Sequence, residues 1–207
     1  MTREKYDELA ERFTDHEYGD PARYFGHRAE IVVSLGPPLE PGDAILDLAC
    51  ADGSAVPPLA DRGLRCLGVD ASDAMLEVAR RQHGARARFE LGDLLTYEPS
   101  EPVAATTIFR SLHFVDDRVA FFRRVAGFTE KKLVFDVAPR RYALEDLRRE
   151  LAAAGLPALV TRPFLVPQHG RLPRPAAAGL RALEMVRPVA SVLLRRRFAL
   201  LCAAFRS

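Results

Sequence analysis

The sequence predicts one α/β domain built on a mostly parallel sheet with helices on both faces. Short apolar runs typical of buried strands alternate with amphipathic segments of helical length. The chain has 207 residues, which is enough for one well-packed core and short for two. Strands separated by helices pair in parallel, because each crossover helix returns the chain to the same end of the sheet.

Two helices are predicted before the first strand. Residues 2–14 carry apolar side chains at helical spacing. A second helix begins with Asp20 as its N-cap and Pro21 at its first position, and ends near Gly36. Together these helices form an N-terminal helical cap, residues 1–40.

The central part of the chain, residues 41–166, alternates strands and helices. A helix that follows the first strand ends by Gly63. The predicted strands are 44–48, 66–70, 86–91, 103–109, 132–137 and 159–166, and the further predicted helices are 74–82, 117–126 and 143–154.

The tail departs from this alternation. A last strand is predicted over 198–205, and an insertion, residues 167–197, separates it from the preceding strand. Within the insertion we expect an apolar helix over 176–194 that Pro188 breaks or kinks. A long insertion between two strands is commonly a binding lid, and packing at the sheet edge or a dimer contact is the alternative.

Composition excludes several classes of protein. Hydrophobic residues make up 48% and charged residues 28%, as in ordinary globular domains. No apolar run has the length of a membrane-spanning helix, and residues 1–5 do not resemble a signal peptide. The three cysteines form no Cys-x-x-Cys pair, which argues against disulfides and a metal site. We therefore expect a cytoplasmic protein without a bound metal.

Charge is spread unevenly along the chain. Residues 1–47 carry 5 basic and 11 acidic residues, whereas residues 140–207 carry 13 basic and 4 acidic ones. Such asymmetry can indicate an acidic partner, a nucleic acid or a membrane surface. The basic residues of the tail are all arginine, so base composition of the gene explains the asymmetry equally well.

Candidate site residues follow the strands, because an open parallel sheet binds ligands outside the carboxyl ends of its strands. The first strand runs into a turn of small residues, 49–53, whose backbone N–H groups can approach a ligand closely. The second strand ends in Asp70, about twenty residues later. A carboxylate at that place can accept two hydrogen bonds from a ribose diol.

These segments resemble the motifs of the class I S-adenosylmethionine-dependent methyltransferases. The run ILDLACADG (45–53) resembles their motif I, and GVDASDAML (68–76) resembles their second motif. GDL (92–94) is similar to the third, and FRSLHFVDD (109–117) to the segment after the fourth strand. The four motifs occur in the family's order and spacing.

The resemblance implies a three-layer, Rossmann-like sandwich whose seven-stranded sheet has an antiparallel last strand. It also implies that the chain is an enzyme with S-adenosylmethionine as its cofactor. By motif position, Asp70 would hold the ribose and Asp93 the adenine amino group. The cofactor-binding residues that the resemblance implies are Asp47, Ala49, Cys50, Ala51, Gly53, Asp70, Ala71, Asp93, Leu94, Arg110 and Ser111.

Two glycines of the usual motif I are Ala49 and Ala51 in this chain. Alanine is tolerated only where φ stays negative. Tight cofactor binding therefore depends most on the backbone at Ala51.

Methyl transfer needs a general base only where the accepting atom carries a proton. His113 is the candidate base, because it follows a strand end that faces the site. Candidate acceptor-binding residues are His16, Tyr18, Tyr24 and Arg140. We expect a small-molecule acceptor and a monomer or homodimer.

The sequence bears on three alternative functions. A nicotinamide enzyme is disfavoured, because the Gly-x-Gly-x-x-Gly fingerprint is missing. An RNA methyltransferase lacks support, because neither an Asn/Asp-Pro-Pro-Tyr motif nor an RNA-binding module is present, and no nucleic acid is expected. A cofactor-binding protein that has lost catalysis is supported only by Ala49 and Ala51.

Overall fold

A seven-stranded sheet forms the centre of the molecule, in the order β3-β2-β1-β4-β5-β7-β6. It is seen in a computed structural model that describes residues 7–186, 190, 194 and 198–206. The strands are β1 (Ala44–Leu48), β2 (Arg65–Asp70), β3 (Ala87–Leu91), β4 (Val103–Ile108), β5 (Thr129–Val137), β6 (Ala158–Phe164) and β7 (Ala199–Phe205).

Strands β1 to β5 pair in parallel, and β7 runs antiparallel between β5 and β6. The predicted mostly parallel sheet with an antiparallel last strand is thus confirmed. All six residues of β4 are buried, as expected for a central strand covered by helices on both faces.

Most of the helices lie where the hydrophobic periodicity predicts them, but the helix predicted over 176–194 is interrupted after Leu183. The helices are α1 (Phe13–Glu17), α2 (Pro21–Ser34), α3 (Val56–Ala60), α4 (Asp73–His83), α5 (Arg118–Phe128), α6 (Leu144–Ala153) and α7 (Arg174–Leu183). Asp20 caps α2 as predicted, because its carboxylate accepts a hydrogen bond from the Arg23 N–H at 3.2 Å. Ser72 caps α4 in the same way through the Met75 N–H at 3.1 Å.

The first predicted helix differs in detail from the structure. Residues 7–9 are helical, a 3₁₀ turn follows at Ala10–Arg12, and α1 continues to Glu17, three residues beyond the predicted end. Residues 1–6 lie outside the described part of the chain.

The insertion 167–197 packs against the N-terminal cap in its described residues. The buried carboxylate of Glu184 lies 2.8 Å from the buried ring of His27 on α2, and also accepts a hydrogen bond from the Leu165 N–H. The Gly19 N–H donates to the Gln168 carbonyl. These contacts pack the start of the insertion and the residue that follows α7 against the N-terminal cap. Pro188 lies outside the described residues.

Across 7–186, 190, 194 and 198–206, no helix has both the length and the apolar character needed to cross a bilayer.

Candidate functional site

A cavity of about 640 Å³ opens at the carboxyl ends of β1, β2 and β4. The strand order reverses between β1 and β4, and ligands of open α/β sheets bind in the crevice at such a reversal. The volume is within the roughly 300–1,000 Å³ that is usual for small-molecule sites. Helices α1 and α2 of the cap contribute Phe13, Glu17, Phe25 and Arg28 to its wall, and Tyr18 joins them from the connection between the two helices.

Most of the residues that the motifs predict line this cavity. They are Asp47, Ala49, Cys50, Ala51, Asp70, Ala71, Asp93, Leu94, Arg110, Ser111 and His113, joined by Tyr18 from the predicted acceptor set. The sheet brings them together from four separate loops, because parallel strands present their carboxyl ends along one edge.

Backbone strain is concentrated in the wall of the cavity. Among the described residues, three non-glycine residues have positive φ: Ala49 at 59°, Ala51 at 50° and Arg110 at 56°. All three line the cavity. The condition under which alanine is tolerated without strain, a negative φ, is therefore met at neither Ala49 nor Ala51. Left-handed conformations cost a residue with a Cβ roughly 1–2 kcal/mol, and they cluster at functional sites.

Replacing Ala49 or Ala51 with Gly is expected to raise the free energy of unfolding by about 0.5–1 kcal/mol each. The relief of left-handed strain exceeds the backbone entropy that glycine loses on folding. Urea denaturation measures the change. The exposed Ala152 in α6 is the control, where the same substitution should destabilise by about 1 kcal/mol. Equal destabilisation at all three positions would contradict the strain assignment.

Asp70 at the end of β2 organises the loop that follows β1. Its Oδ2 accepts a hydrogen bond from the Ala51 N–H at 2.8 Å, and its Oδ1 accepts one from the Ser72 N–H at 2.9 Å. Each oxygen of a carboxylate can accept more than one hydrogen bond. Asp70 therefore fixes the left-handed turn and also presents a carboxylate to the cavity.

Asp47 is a buried carboxylate of the cavity wall, with 5% of its surface exposed. Its Oδ1 accepts a hydrogen bond from Thr107 Oγ1 on β4 at 2.6 Å. Burial raises the pKa of Asp47 from 3.8 to about 6, while the Thr107 hydrogen bond and the positive charge of Arg28 oppose that rise. The folded chain therefore keeps an ionised carboxylate here at neutral pH in spite of poor solvation.

Asp93 begins the turn after β3. Its carboxylate accepts a hydrogen bond from the Leu95 N–H at 2.7 Å, which holds Asp93 and Leu94 against the cavity. Cys50 lines the cavity, and burial raises the pKa of its thiol well above the ordinary value, so the thiol stays protonated.

Arg110 joins the loop after β4 to the N-terminal cap. Its N–H donates to Asp136 at 2.6 Å, which holds its unusual backbone conformation. Its guanidinium donates to Glu17 at 3.1 Å and to the Tyr18 hydroxyl at 3.4 Å. The Gln168 amide also donates to Glu17, so this side of the cavity is closed by a polar network.

His113 lies in the 3₁₀ turn Leu112–Phe114 beside the cavity, with its ring centroid 4.0 Å from that of Phe114. Partial burial lowers the pKa of the imidazole below 6.5, and the positive charges of Arg141 and Arg110 lower it further. A neutral imidazole at pH 7 is able to accept a proton.

Four predicted residues do not line the cavity. Gly53 has φ +74°, and a Cβ there would come within 2.8 Å of the Phe89 ring, so glycine serves packing. His16 is exposed and pairs with Glu17 at 3.3 Å. Tyr24 is buried behind Tyr18, with ring centroids 4.8 Å apart. Arg140 is exposed on the loop after β5.

Sequence reasoning missed Arg28, Glu17 and Phe109. Arg28 and Phe25 both carry their side chains into the cavity from α2, one helical turn apart. An arginine that follows Tyr24 and Phe25 by four and three residues, in the helix before the first strand, was the available signal.

The comparison with protein families matches the part of the chain that carries the motifs. Residues 45–132 match the profile of a family described as "Methyltransferase domain". This match contains the motifs of β1 to β4, including Asp47, Asp70 and Asp93. No curated protein matches the chain.

Solved structures resemble the fold over most of its length. A putative methyltransferase in complex with the Trm112 methyltransferase activator, from Haloferax volcanii, is 19% identical with a TM-score of 0.67, over 97% of this chain and 96% of that one. A TehB-like SAM-dependent methyltransferase from Corynebacterium glutamicum is 16% identical with a TM-score of 0.65, over 100% of both chains.

Magnesium protoporphyrin IX methyltransferase from Synechocystis PCC 6803, with bound SAM, is 18% identical with a TM-score of 0.62, over 91% of this chain and 82% of that one. At these identities the likeness establishes the fold alone. The chain has the fold of these SAM-dependent methyltransferases, and its residues 45–132 match the family described as a methyltransferase domain.

Proposed function

We propose that this protein transfers the methyl group of S-adenosylmethionine to a small-molecule acceptor, and that both bind in the cavity at the ends of β1, β2 and β4. The observation that carries the proposal is the carboxylate of Asp70, held at the end of β2 by two backbone N–H groups and facing a cavity of ligand size.

The charges of the cavity fit this cofactor. Five carboxylates line it, from Glu17, Asp47, Asp52, Asp70 and Asp93. Two guanidinium groups line it as well, those of Arg28 and Arg110. S-adenosylmethionine carries a sulfonium and an ammonium group, so an acidic cavity favours it electrostatically.

Each part of the cofactor has residues that would hold it. Asp70 would accept hydrogen bonds from the ribose diol, and Asp93 would lie at the adenine amino group. Ala49, Cys50 and Ala51 would bring the backbone close to the methionyl arm, beside Asp47. Ala71, Leu94, Arg110 and Ser111 would complete the wall.

When bound, S-adenosylmethionine supplies a methyl group on a sulfonium, which is already activated for displacement. The chain itself contributes positioning and exclusion of water, which account for much of the rate in reactions of this type. The polar network of Glu17, Arg110 and Tyr18 joins the cap to the loop after β4 and shields that side of the cavity.

His113 is the proposed general base where the accepting atom carries a proton. Replacing His113 with Gln is expected to leave the affinity for S-adenosylhomocysteine unchanged and to lower kcat about 100-fold or more. The remaining activity should no longer fall with the imidazole titration below pH 6.5. Methyl-transfer kinetics against pH measure both effects. An unchanged kcat would remove His113 from the chemistry and leave positioning alone.

The acceptor is proposed to be a small molecule because the N-terminal cap walls the cavity with the aromatic side chains of Phe13, Tyr18 and Phe25. Magnesium protoporphyrin IX methyltransferase, which shares the fold, is named for such an acceptor. His16, Tyr24 and Arg140 do not line the cavity, so we do not propose that they bind the acceptor. Tyr18 lines the cavity and remains a proposed acceptor-binding residue. The described residues of the insertion 167–197 pack against the N-terminal cap.

The proposed organisation remains a single domain over 1–207, with the cap 1–40, the core 41–166, the insertion 167–197 and the last strand 198–207. We propose that the protein is a monomer or homodimer and that it binds no nucleic acid. The three free, buried cysteines suit the reducing cytoplasm.

Calorimetric titration with S-adenosylmethionine and S-adenosylhomocysteine tests the proposed cofactor directly. Micromolar binding by the purified chain is expected. Binding without transfer to any screened acceptor would favour a cofactor-binding protein that has lost catalysis. Absence of binding would contradict the proposal for the isolated chain. The Haloferax neighbour was solved with an activator protein, so a repeat with a partner subunit would be the next measurement.

A further inference from the structure

A buried histidine joins the N-terminal cap to the insertion 167–197. His27 on α2 has 2% of its surface exposed, and Glu184, the residue after α7, has 3%. The His27 Nε2 atom lies 2.8 Å from Glu184 Oε2, and the His27 Nδ1 atom lies 3.2 Å from Glu30 Oε2. The imidazole therefore lies between two carboxylates, one from its own helix and one from the insertion.

Both ring nitrogens of His27 face oxygen atoms that accept hydrogen bonds. A carboxylate has no donor, and a neutral imidazole has only one N–H. The other oxygen of Glu184 accepts a hydrogen bond from the Leu165 N–H at 2.8 Å, so both of its oxygens act as acceptors. The two bonds of His27 can therefore form together only when the ring carries both protons and is an imidazolium.

The carboxylate of Glu30 is also paired with arginines from two other elements. Arg181 on α7 forms an ion pair with it, and Arg62 Nη2, two residues after α3, lies 3.9 Å from its Oε1 atom. Burial raises the pKa of the Glu30 carboxyl, but the His27 hydrogen bond and the charges of Arg181, His27 and Arg62 hold this pKa below its ordinary value. Glu30 is thus ionised and keeps charged partners even without His27.

Glu184 depends on His27 more strongly. Among the described residues, its carboxylate accepts hydrogen bonds from His27 and from the Leu165 N–H. Arg162 on β6 is the further cation near it, with Nη2 3.9 Å from Glu184 Oε2, beyond hydrogen-bonding distance. On the β6 side the His27 ring stacks on Phe164, with centroids 5.5 Å apart. Loss of the imidazolium proton would leave a buried carboxylate without its bonded cation, which is destabilising.

The insertion also contacts the wall of the cavity. The Gln168 amide donates to Glu17, which lines the cavity, at 3.0 Å. The Arg23 guanidinium donates to the Leu172 carbonyl at 2.8 Å. The insertion is therefore fixed to the cap at two places, at its start beside the cavity and at Glu184.

We propose that His27 and Glu184 form a pH-sensitive latch that holds the insertion on the cap while the imidazole is protonated, and that the latch thereby stabilises the cavity wall at Glu17. Both are positioning residues, because neither lines the cavity. Histidine is the side chain that ordinarily changes charge between pH 5 and 8. A cation bound by two carboxylates stabilises the closed arrangement at low pH, and this stabilisation is lost as the pH rises.

Amide hydrogen exchange measures the latch without a ligand. The reporter is the Leu165 N–H, which donates to Glu184, and the amides of the buried strand β4 report global unfolding. After correction for intrinsic chemical exchange, the protection of Leu165 relative to β4 is expected to fall about 10-fold or more between pH 5.5 and pH 8.5. Hydrogen bonds to charged groups are strong enough for a change of this size.

Two neutral variants separate the latch from other titrations. His27→Gln and Glu184→Gln are each expected to show low Leu165 protection that no longer changes with pH. The double variant should lose no more than either single variant, because the two groups act in one contact. His169→Gln is the matched control, since His169 is an exposed histidine of the same insertion, and it should keep the wild-type profile.

Calorimetry with S-adenosylhomocysteine measures the effect on the cavity, and this part of the inference rests on the proposed function. The ratio of the affinity of wild type to that of His27→Gln is expected to fall about 5-fold or more between pH 6 and pH 8.5, which is a usual size for coupling between sites. Taking the ratio removes the titrations that both proteins share, such as those of Asp47 and His113.

Wild-type Leu165 protection that does not change with pH would overturn the latch, and so would a His27→Gln variant that keeps the wild-type profile. A constant ratio of affinities would overturn its effect on the cavity. Failure of wild type to bind S-adenosylhomocysteine at any pH would contradict the proposed function, whereas hydrogen exchange would still decide whether the latch exists. The two failures are therefore distinguishable.

Discussion

Replacing Asp70 with Ala is expected to weaken the binding of S-adenosylhomocysteine about 100-fold or more. Two charge-assisted hydrogen bonds to a ribose diol are worth roughly 1.5–3 kcal/mol each, and each 1.4 kcal/mol is a factor of ten in affinity. Calorimetric titration of the variant beside wild type measures the loss. Asp73→Ala is the control, because Asp73 is an exposed carboxylate three residues away that does not line the cavity.

Asp70 also has a structural role, which the experiment must separate from ribose binding. Its carboxylate also accepts the Ala51 N–H, so Asp70→Ala releases the left-handed turn after β1 as well as the ribose site. Asp70→Asn keeps one acceptor oxygen and should fall between wild type and Asp70→Ala. Coincident, unchanged affinities for wild type, Asp70→Ala and Asp70→Asn would refute the ribose assignment.

Several strand and helix boundaries were accessible from the sequence because they are marked by local chemistry. Asp20 and Ser72 cap their helices through their own side chains, and Asp47 and Asp70 mark where two buried strands end. Such signals depend on neighbours in the chain, so a single sequence contains them.

The cap side of the cavity could not be predicted in the same way. Arg28 and Glu17 reach the cavity only because α1 and α2 fold over the ends of β1 and β4. Gly53 matched the motif yet serves packing against Phe89, a contact between residues 36 positions apart. The positive φ of Ala51 and Arg110 is held by hydrogen bonds to Asp70 and Asp136, which only the tertiary structure brings close.

The buried carboxylate of Asp47 is expected to reduce the stability of the fold at neutral pH. Its pKa is raised from 3.8 to about 6, so between these values the folded chain holds a proton that the unfolded chain has released. The contribution of Asp47 to stability therefore falls as pH rises from about 4 to 6, and the full cost of about 3 kcal/mol is present above pH 6.

Asp47→Asn should remove this cost, because the amide oxygen can still accept the Thr107 hydrogen bond without carrying a charge. We expect the free energy of unfolding to match wild type near pH 4 and to exceed it by about 1–3 kcal/mol at pH 7. Urea denaturation at pH 4, 5, 6, 7 and 8 measures the difference, and Asp73→Asn controls for loss of an exposed charge.

If Asp47→Asn is more stable than wild type but binds S-adenosylhomocysteine more weakly, the Asp47 carboxylate is kept for binding and not for stability. Residues retained against stability belong to functional sites, where a strained or poorly solvated group is needed for binding. A pH-independent difference, or an Asp47→Asn variant less stable than wild type at pH 7, would mean that Arg28 and Thr107 fully compensate the burial. Asp47 would then be a structural carboxylate, and the ends of β2 and β4 would carry the cofactor without it.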